Sequence, residues 1–295
     1  MRQLILTGVQ KIETKEVPLP EVKPGWVLIK TARCGICGTD AHGYMGETIF
    51  GKVFPFHLGH EVCGYVEKVG NDDSHFKTGD LVVINPFFTC DSCPACFMGQ
   101  SNNCSTKTTI GLKGPGGFSE YILVPETSTY KADKDMDVDR LTIAEPLANV
   151  IYAMDKIKID SSMNVLINGV GAIGLMFLQL VAGYKPKSIT VTDLNDAKLE
   201  KAKKIGADIT INARSNTDPN DHLYDVIIDC TSSAECVGQS IKKLAFGGQF
   251  LNFGVCKMDA TFEVNPFDLY KKDATYLSSF ALNKSSMQKA LDLLI

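Results

Sequence analysis

A glycine-rich turn, Gly169-Val170-Gly171-Ala172-Ile173-Gly174, limits the possible folds of this chain more than any other feature. It follows the apolar run 165–168 and precedes an apolar stretch with helical spacing. Glycines let the backbone turn sharply and approach a phosphate, and the N-terminus of the following helix favours negative charge. Asp193 ends the next strand-like run about 20 residues later, in the order typical of dinucleotide-binding βαβ units. The sequence therefore predicts a dinucleotide site at this turn.

The two halves of the chain differ in their patterns. From about residue 164, apolar runs alternate with helical stretches, which predicts βαβ units on a parallel sheet. The first half contains short strand-like runs separated by glycine and proline turn signals, which predict a small β-rich, barrel-like domain. Apolar residues in 145–157 have helical spacing, so we place the boundary on a helix, between domains 1–150 and 151–295. The predicted strands are residues 4–7, 27–32, 61–69, 81–85, 118–124, 165–168, 188–192, 209–212, 226–230, 249–253 and 275–280, and the helical stretches of the second half are 172–182, 196–205 and 234–245.

Composition and charge exclude several classes of function. The 295 residues, 44% hydrophobic and 22% charged, have an ordinary globular composition. Thirty basic and thirty-four acidic residues give a net charge of -4, which offers no basic field for a nucleic-acid backbone. No run approaches the roughly 18 to 20 apolar residues of a membrane span, and the N-terminus lacks a signal-peptide pattern. We expect a cytoplasmic protein that binds neither nucleic acid nor membrane.

Four of the ten cysteines lie in one short polar loop, as Cys90, Cys93, Cys96 and Cys104. Four thiolates at this spacing can surround one tetrahedral zinc ion, and unrelated core cysteines rarely gather in so short a loop. An iron–sulfur cluster is the alternative group for such a ligand set. Because a closed shell of four cysteines leaves no open coordination position, we expect this site to support structure and not chemistry.

A second candidate metal site is spread over three segments of the chain. Cys37, the pair His60-Glu61, and Glu145 supply a thiolate, an imidazole and carboxylates, which suit a catalytic zinc with an open position for water or substrate. Taken singly, each could be an ordinary core residue, and Glu145 could be only an acid favoured at a helix N-terminus. Asp40 is a candidate for the outer carboxylate that fixes the ring of His60.

Together these motifs resemble those of the zinc-dependent medium-chain dehydrogenases, the alcohol and polyol dehydrogenase superfamily. The similar segments are residues 35–40, 59–61, 90–104 and 169–174, and the resemblance extends over essentially the whole chain. It implies an α/β protein with a GroES-like, β-rich catalytic domain that carries a structural zinc lobe. A Rossmann coenzyme domain with a doubly wound parallel sheet would follow. Glu145-Pro146-Leu147 is similar to the sorbitol and polyol branch.

The resemblance also assigns roles at the catalytic zinc. Cys37, His60 and Glu145 would surround the metal, with Glu61 as a direct or exchangeable ligand. Thr39 and His42 match a proton relay that leads towards solvent. The implied catalytic residues are Cys37, Thr39, His42, His60, Glu61 and Glu145, and the implied reaction transfers a hydride from a secondary alcohol of a sugar alcohol or polyol to NAD, giving a ketone.

Asp193 favours NAD over NADP, because its carboxylate can accept hydrogen bonds from ribose hydroxyls and would repel a 2′-phosphate. Lys198 in the following helical stretch is either a cofactor contact or a solvated lysine. The resemblance places further cofactor contacts after two later strands of the sheet. The implied cofactor-binding residues are Gly169, Gly171, Ile173, Gly174, Asp193, Lys198, Phe253, Gly254, Val255, Ser279 and Phe280.

The sequence leaves the identity of the substrate undetermined, because one segment of the expected substrate pocket departs from the family pattern. Enzymes of the sorbitol type carry an Arg-Tyr pair after Gly-Ser-Phe, whereas this chain reads Ser279-Phe280-Ala281-Leu282. The predicted pocket is less polar, so other sugar alcohols, butanediol-like diols and simple secondary alcohols are alternatives. Threonine dehydrogenases are similar at residues 35–40 but less so at Glu145. A non-catalytic protein that binds zinc and NAD on the same scaffold is the alternative from another class.

The resemblance also bears on assembly and on the chain's end. Members of this family commonly pair through the strand that corresponds to residues 275–280, so a homodimer or homotetramer is expected. They usually continue about 50 residues beyond the helix predicted at 285–295, which implies that the return of the chain to the catalytic domain is missing here. The apolar residues of that helix would then be exposed.

Overall fold

The computed structural model describes residues 1–47, 54–111, 114–215 and 223–295. The chain divides into two compact units, one formed by Met1–Ile151 with Ala281–Ile295 and the other by Tyr152–Phe280. This division differs from the expected ranges 1–150 and 151–295 at the C-terminus, since residues 281–295 belong to the first unit. Among the described residues, no helix has the length and apolar character needed to cross a membrane.

The first unit is built on a five-stranded antiparallel sheet. Alternate residues of its strands form one apolar cluster that includes Val27, Ile29, Val62 and Ile122, all almost fully buried. The strands of this sheet, in spatial order, are β8 (Tyr121–Pro125), β3 (Trp26–Gly35), β4 (Glu61–Val69), β5 (Leu81–Ile84) and β9 (Thr129–Lys131). The other elements are β1 (Arg2–Gly8), β2 (Lys11–Glu16), α1 (Gly38–Met45), β6 (Phe87–Phe88), α2 (Pro94–Phe97), β7 (Thr108–Thr109), α3 (Val138–Leu141) and α4 (Ala144–Met154), in which the boundary between the units falls.

The second unit is a parallel six-stranded sheet with intervening helices. The apolar runs that the sequence presents form its central strands, whose side chains are buried on both faces. Its strands, in spatial order, are β12 (Ile209–Asn212), β11 (Ser188–Asp193), β10 (Asn164–Asn168), β13 (Tyr224–Asp229), β14 (Leu244–Asn252) and β15 (Thr275–Ser278). Its helices are α5 (Ala172–Gly183), α6 (Asp196–Ile205), α7 (Ala234–Ser240) and α8 (Pro266–Lys272). The expected α/β class, with a parallel coenzyme-domain sheet, is confirmed.

Some predicted boundaries are wrong for physical reasons. The strand predicted from residue 118 begins at Tyr121, because Gly117 and Phe118 donate their N–H groups to the carbonyls of Gly59 and Leu58. The helix predicted over 234–245 ends at Ser240, and strand β14 then starts five residues earlier than residue 249, the predicted start.

The last helix, α9 (Lys284–Leu294), packs within the first unit against α3. Asn283 caps it by accepting a hydrogen bond from the N–H of Ser286 at 2.8 Å. Most of its apolar side chains are covered, contrary to the exposed surface expected from the sequence. The buried apolar residues of this helix are Met287, Ala290, Leu291 and Leu294, which recur at helical spacing.

Ala281, where the chain enters this segment, has a left-handed backbone conformation with φ of 59°. This conformation is unfavourable for any residue other than glycine, because the Cβ crowds the following carbonyl. The chain therefore carries local strain at the residue that begins its return to the first unit.

Candidate active site and cofactor site

The β3–β4 pairing assembles the first cluster of metal-binding side chains. Gly35 at the end of β3 lies opposite Glu61 at the start of β4, and Cys37 and His60 flank that pair along the chain. The thiol, imidazole and carboxylate of Cys37, His60 and Glu61 lie within 4.8 Å of one another. A Cβ at position 35 would overlap the carboxylate of Glu61, so glycine leaves the space that this side chain occupies.

Asp40 organises this cluster from the interior. Its carboxylate accepts hydrogen bonds of 2.9 Å from the N–H groups of Cys37 and Gly59, and Oδ1 lies 3.7 Å from Nδ1 of His60. Burial opposes ionisation of Asp40, but His60 and these N–H donors lower its pKa below the usual value. Asp40 therefore occupies the outer position beside the His60 ring that the sequence suggested.

Glu145 is buried in the first turn of α4, but its carboxylate lies outside the group of ligand atoms within 4.8 Å. Asn149 donates a 2.9 Å hydrogen bond to its Oε1 and another to its main-chain oxygen. Burial raises the pKa of Glu145, and the negative charge of Glu145 in turn raises that of His60. Sequence reasoning missed Asn149, although its position four residues along the same helix could have identified it.

The two residues of the implied proton relay differ in their surroundings. Oγ1 of Thr39 lies 3.6 Å from Sγ of Cys37, at the metal-binding cluster. His42 is partly exposed, and its Nδ1 lies 2.8 Å from a carboxylate oxygen of Glu47. Glu47, which the sequence analysis did not identify, thus holds the ring at the solvent-facing end of α1.

The cluster concentrates acidic groups in a poorly solvated place. Burial raises the pKa of Glu61 to about 7, and the charge of Glu145 adds to the shift. Burial lowers the pKa of His60, but Asp40, Cys37 and Glu145 together raise it well above its usual value. Sulfur, imidazole nitrogen and carboxylate oxygen are the donors that zinc accepts in catalytic sites, so the residues present fit this metal.

The four cysteines of the loop also converge. Their Sγ atoms lie within 4.8 Å of one another, with Cys93 and Cys96 3.6 Å apart and Cys90 and Cys104 3.5 Å apart. A tetrahedron with zinc–sulfur bonds of about 2.3 Å has edges of about 3.8 Å, close to these distances. The loop therefore has the donor set and spacing of a closed zinc site, as expected.

The four-cysteine lobe, residues 90–104, is attached to the start of α9. Asn283 donates a 2.9 Å hydrogen bond to the carbonyl of Gly99, and the N–H of Lys284 donates to Oγ of Ser101 at 3.1 Å. Nζ of Lys284 lies 2.6 Å from the carboxylate of Asp91. Two consecutive residues thus connect the C-terminal segment to the lobe.

In the second unit, the glycine-rich turn has the packing that a phosphate site needs. Gly169 follows β10 with φ of 81°, a conformation that favours glycine. A Cβ at Gly174 would overlap the main-chain oxygen of Gly169, so the helix can approach the turn only without a side chain there. A Cβ at Gly171 would meet no atom within 4 Å, which leaves open space beside the N-terminus of α5. Ile173 lies in the first turn of the same helix.

Asp193 ends β11 beside this turn. Its Oδ2 accepts a 2.9 Å hydrogen bond from the N–H of Val170 and lies 4.0 Å from Nζ of Lys198. Oδ1 of Asp193 accepts a 3.0 Å hydrogen bond from the N–H of Asn195, so the carboxylate fixes both the glycine-rich turn and the start of α6. Sequence reasoning identified Asp193 and Lys198 but not the bond to Val170, which only the β10–β11 pairing brings about.

The remaining predicted cofactor residues follow β14 and β15. Phe253 and Gly254 donate their N–H groups to the carbonyl of Asp229, while the side chains of Val255 and Phe280 are exposed. The hydroxyl of Ser279 is buried and has no partner in the part of the chain that the structure describes. The open cradle at Gly171 and this free hydroxyl fit a dinucleotide on this unit.

Comparison with known proteins identifies the class. The family model for the alcohol dehydrogenase GroES-like domain matches residues 23–134, and that for zinc-binding dehydrogenases matches residues 170–295. The chain therefore belongs to the zinc-dependent medium-chain dehydrogenases, and it is an oxidoreductase of that class with zinc and a nicotinamide cofactor.

Individual relatives are moderately similar. D-altritol 5-dehydrogenase of Agrobacterium fabrum is 31% identical over 280 residues, which cover 92% of this chain and 82% of that protein. L-threonine 3-dehydrogenase of Bacillus velezensis is 32% identical over 246 residues, 80% of this chain and 71% of that protein. A zinc-binding dehydrogenase of Sinorhizobium meliloti, solved bound to NADP, aligns with a TM-score of 0.91 and 31% identity over 99% of this chain and 87% of that one.

Proposed function

We propose that this dehydrogenase oxidises a secondary alcohol of a sugar alcohol or polyol to a ketone with NAD as acceptor. The convergence of Cys37, His60 and Glu61 beside the buried Glu145 is the observation that carries the proposal. The similarity to D-altritol 5-dehydrogenase supports a polyhydroxylated substrate.

Cys37 and His60 would hold the catalytic zinc, with Glu61 and Glu145 as the carboxylates that complete or exchange in its shell. Zinc bound there supplies a Lewis acid that lowers the cost of removing a hydroxyl proton near neutral pH. Asp40 orients the ring of His60, and Asn149 restrains Glu145. Thr39 lies at the cluster, where its hydroxyl can relay the substrate proton by passing on its own, and His42 with Glu47 offers a route for that second proton to solvent.

The choice of NAD over NADP rests on Asp193. A carboxylate at the end of β11, already held by the N–H of Val170, would repel a 2′-phosphate. The S. meliloti relative was solved with NADP, so this choice needs a direct test. Asp193→Asn keeps the shape of the side chain and an acceptor for one of the two N–H groups, of Val170 and Asn195, that Asp193 binds. It should shift the ratio of kcat/KM towards NADP and lower the melting temperature by a few degrees. An unchanged ratio would remove Asp193 as the discriminating residue.

A second candidate substrate class is favoured by Ala281. This residue replaces the arginine of the sorbitol type and has no polar group for an additional hydroxyl. A pocket with alanine at this position would bind small secondary alcohols and butanediol-like diols better than long polyols, because it offers no polar partner for additional hydroxyls. The similarity to L-threonine 3-dehydrogenase makes threonine a necessary member of any substrate panel.

The test is NADH formation by the zinc-loaded chain with sugar alcohols, vicinal diols, simple secondary alcohols and threonine. A higher kcat/KM for sugar alcohols supports the proposal, and a higher value for simple alcohols or threonine would replace the proposed substrate class.

Cys37→Ala tests the catalytic zinc, and it should abolish turnover while NADH binding persists. Cys63→Ala is the matched control, because this buried thiol lies on β4 outside both metal-binding clusters. Turnover by Cys37→Ala at the rate of the control would contradict the catalytic zinc assignment.

We also propose that the protein is a homodimer or homotetramer that pairs through β15. This strand is an edge of the parallel sheet, and three of its four residues are exposed. An unpaired edge offers a row of N–H and C=O groups to a second copy. Light scattering should give twice or four times the mass of 32.2 kDa, and a monomeric mass would refute the pairing.

A further inference from the structure

A buried carboxylate, Asp229, lies at the carboxyl end of β13 and has no role in the mechanism described above. Its side chain is fully buried between the ends of β10 and β14, opposite Asn168 and Asn252. Burial raises its pKa, while hydrogen bonds from Thr231 oppose that shift. No cation pairs with it among the described residues, and a buried carboxyl without a cation is costly unless it is hydrogen-bonded.

The hydrogen bonds of Asp229 join two loops. Oδ1 accepts from Oγ1 of Thr231 at 2.9 Å, and Oδ2 accepts from the N–H of Thr231 at 3.3 Å, which fixes the loop after β13. The main-chain oxygen accepts the N–H groups of Phe253 and Gly254 at 3.0 and 2.9 Å, which fixes the loop after β14. One residue therefore sets the positions of both loops.

The glycine-rich turn after β10 also lies against the loops that Asp229 joins. A Cβ at Gly169 would lie 3.2 Å from both the oxygen of Cys230 and Cγ2 of Thr231, and one at Gly254 would lie 3.2 Å from Oδ2 of Asp229. The N–H of Cys230 donates to the carbonyl of Asn168 at 2.8 Å. The three loops that follow β10, β13 and β14 are thus in contact around Asp229 and Thr231.

The strand order shows which part of the cofactor these loops would meet. Asp193 ends β11, on one side of β10, and the glycine-rich turn that would hold the pyrophosphate follows β10 itself. The loops after β13 and β14 lie on the opposite side of β10 from Asp193. Because ligands of such sheets lie along the carboxyl ends of the strands, the adenosine half belongs on the β11 side and the nicotinamide half on the β13 and β14 side.

We propose that Asp229 is a positioning residue for the nicotinamide half of the cofactor, and that its carboxylate, through its bonds to Thr231, holds the loop after β13 in place between the glycine-rich turn and the loop after β14. The proposal rests on the cofactor site of the proposed function. Asp229 need not touch the cofactor, because its carboxylate acts through Thr231 and its main-chain oxygen holds the N–H groups of Phe253 and Gly254.

The first variant is Thr231→Val, which keeps the shape of the side chain but removes the hydroxyl that donates to Asp229 and accepts the N–H of Ser233. Thr190→Val is the matched control, because Thr190 is also fully buried in this unit and its hydroxyl has no partner in the described residues. Asp229→Ala removes the carboxylate, and Asp229→Asn can keep both bonds to Thr231 because the threonine hydroxyl can also accept.

The measurements are the dissociation constants of NADH and of AMP, a probe of the adenosine half alone, on the full zinc-loaded chain. We expect Thr231→Val and Asp229→Ala to raise the NADH constant about tenfold and to leave the AMP constant within twofold. Thr190→Val should change neither, and Asp229→Asn should restore most of the NADH affinity.

Three outcomes would overturn the inference. Unchanged NADH affinity in Thr231→Val would show that the bond to Asp229 does not position the loops. Equal loss of NADH and AMP affinity would indicate general disruption of the unit. If the unaltered chain bound neither NADH nor NADPH, the proposed cofactor site itself would fail, which the unaltered chain reveals before any variant is compared. Should Asp229→Ala not fold, Thr231→Val still decides the question.

Discussion

Replacing Gly174 by alanine tests the packing of the glycine-rich turn most directly. The new Cβ would lie 2.9 Å from the carbonyl carbon of Gly169 and would overlap its oxygen, so main chain and not a flexible side chain must move. Overpacking of this kind costs about 1 to 3 kcal/mol, and a main-chain collision places the cost near 3 kcal/mol. Alanine regains about 1 kcal/mol of helix propensity. The net loss of about 2 kcal/mol should lower the melting temperature by roughly 6 °C.

Two other glycines of the same region provide the comparison. Gly171 has extended backbone geometry and open space around a new Cβ, so Gly171→Ala should leave stability unchanged. Its methyl group would occupy the space through which a phosphate approaches, and NADH affinity should fall at least tenfold. Gly183 also has open space and lies in the last turn of α5, so Gly183→Ala should be neutral or slightly stabilising.

The assay combines thermal melting with NADH titration for the three variants. Equal melting temperatures for Gly174→Ala and Gly183→Ala would refute the reasoning, because they would show that the overlap of the new Cβ with Gly169 does not lower stability. Normal NADH affinity in Gly171→Ala would separately refute the position assigned to the pyrophosphate.

Two further changes test other parts of the molecule. Cys93→Ser should lower the zinc content from two ions to one per chain and, by loosening the lobe, expose α9 to proteolysis; a variant that keeps two zinc ions would contradict the four-cysteine site. Ala281→Gly should raise the melting temperature by about 2 to 4 °C because it relieves about 1 kcal/mol of strain at φ of 59°, and a lower melting temperature would contradict that strain.

The sequence was most informative where the local pattern and the tertiary role of a segment agree. Strand β4 spans the predicted residues 61–69, because its apolar residues alternate and its ends carry turn signals. Strand β2, Lys11–Glu16, was missed because all six of its residues are exposed and give no alternating pattern. It is stabilised by pairing with β1, which only the tertiary structure reveals.

In the candidate site, too, some residues could be predicted from the sequence and others could not. Cys37, His60 and Glu61 lie in short motifs, so their types and spacing are visible in the sequence. The bond from Asn149 to Glu145 spans one turn of helix α4, so the spacing of the two residues could have indicated it. The bonds from the N–H groups of Phe253 and Gly254 to the carbonyl of Asp229 join two loops that are distant in sequence, and no local pattern carries that information. The apolar spacing of α9 indicates an amphipathic helix but not what covers its apolar face, which is why that face was expected to be exposed and is in fact buried in the first unit.

The first unit is formed by two separate stretches of the chain, and this affects when its parts are made during synthesis. Tyr152–Phe280 is continuous, so all residues of the second unit leave the ribosome together, whereas the first unit is complete only when residues 281–295 have been added. Roughly 130 residues intervene, which at about 5 to 20 residues per second is a delay of roughly 7 to 26 seconds. During that interval the surface of α3 that α9 will cover is open to other chains. The N-terminal unit is therefore completed only after the unit that follows it in the sequence.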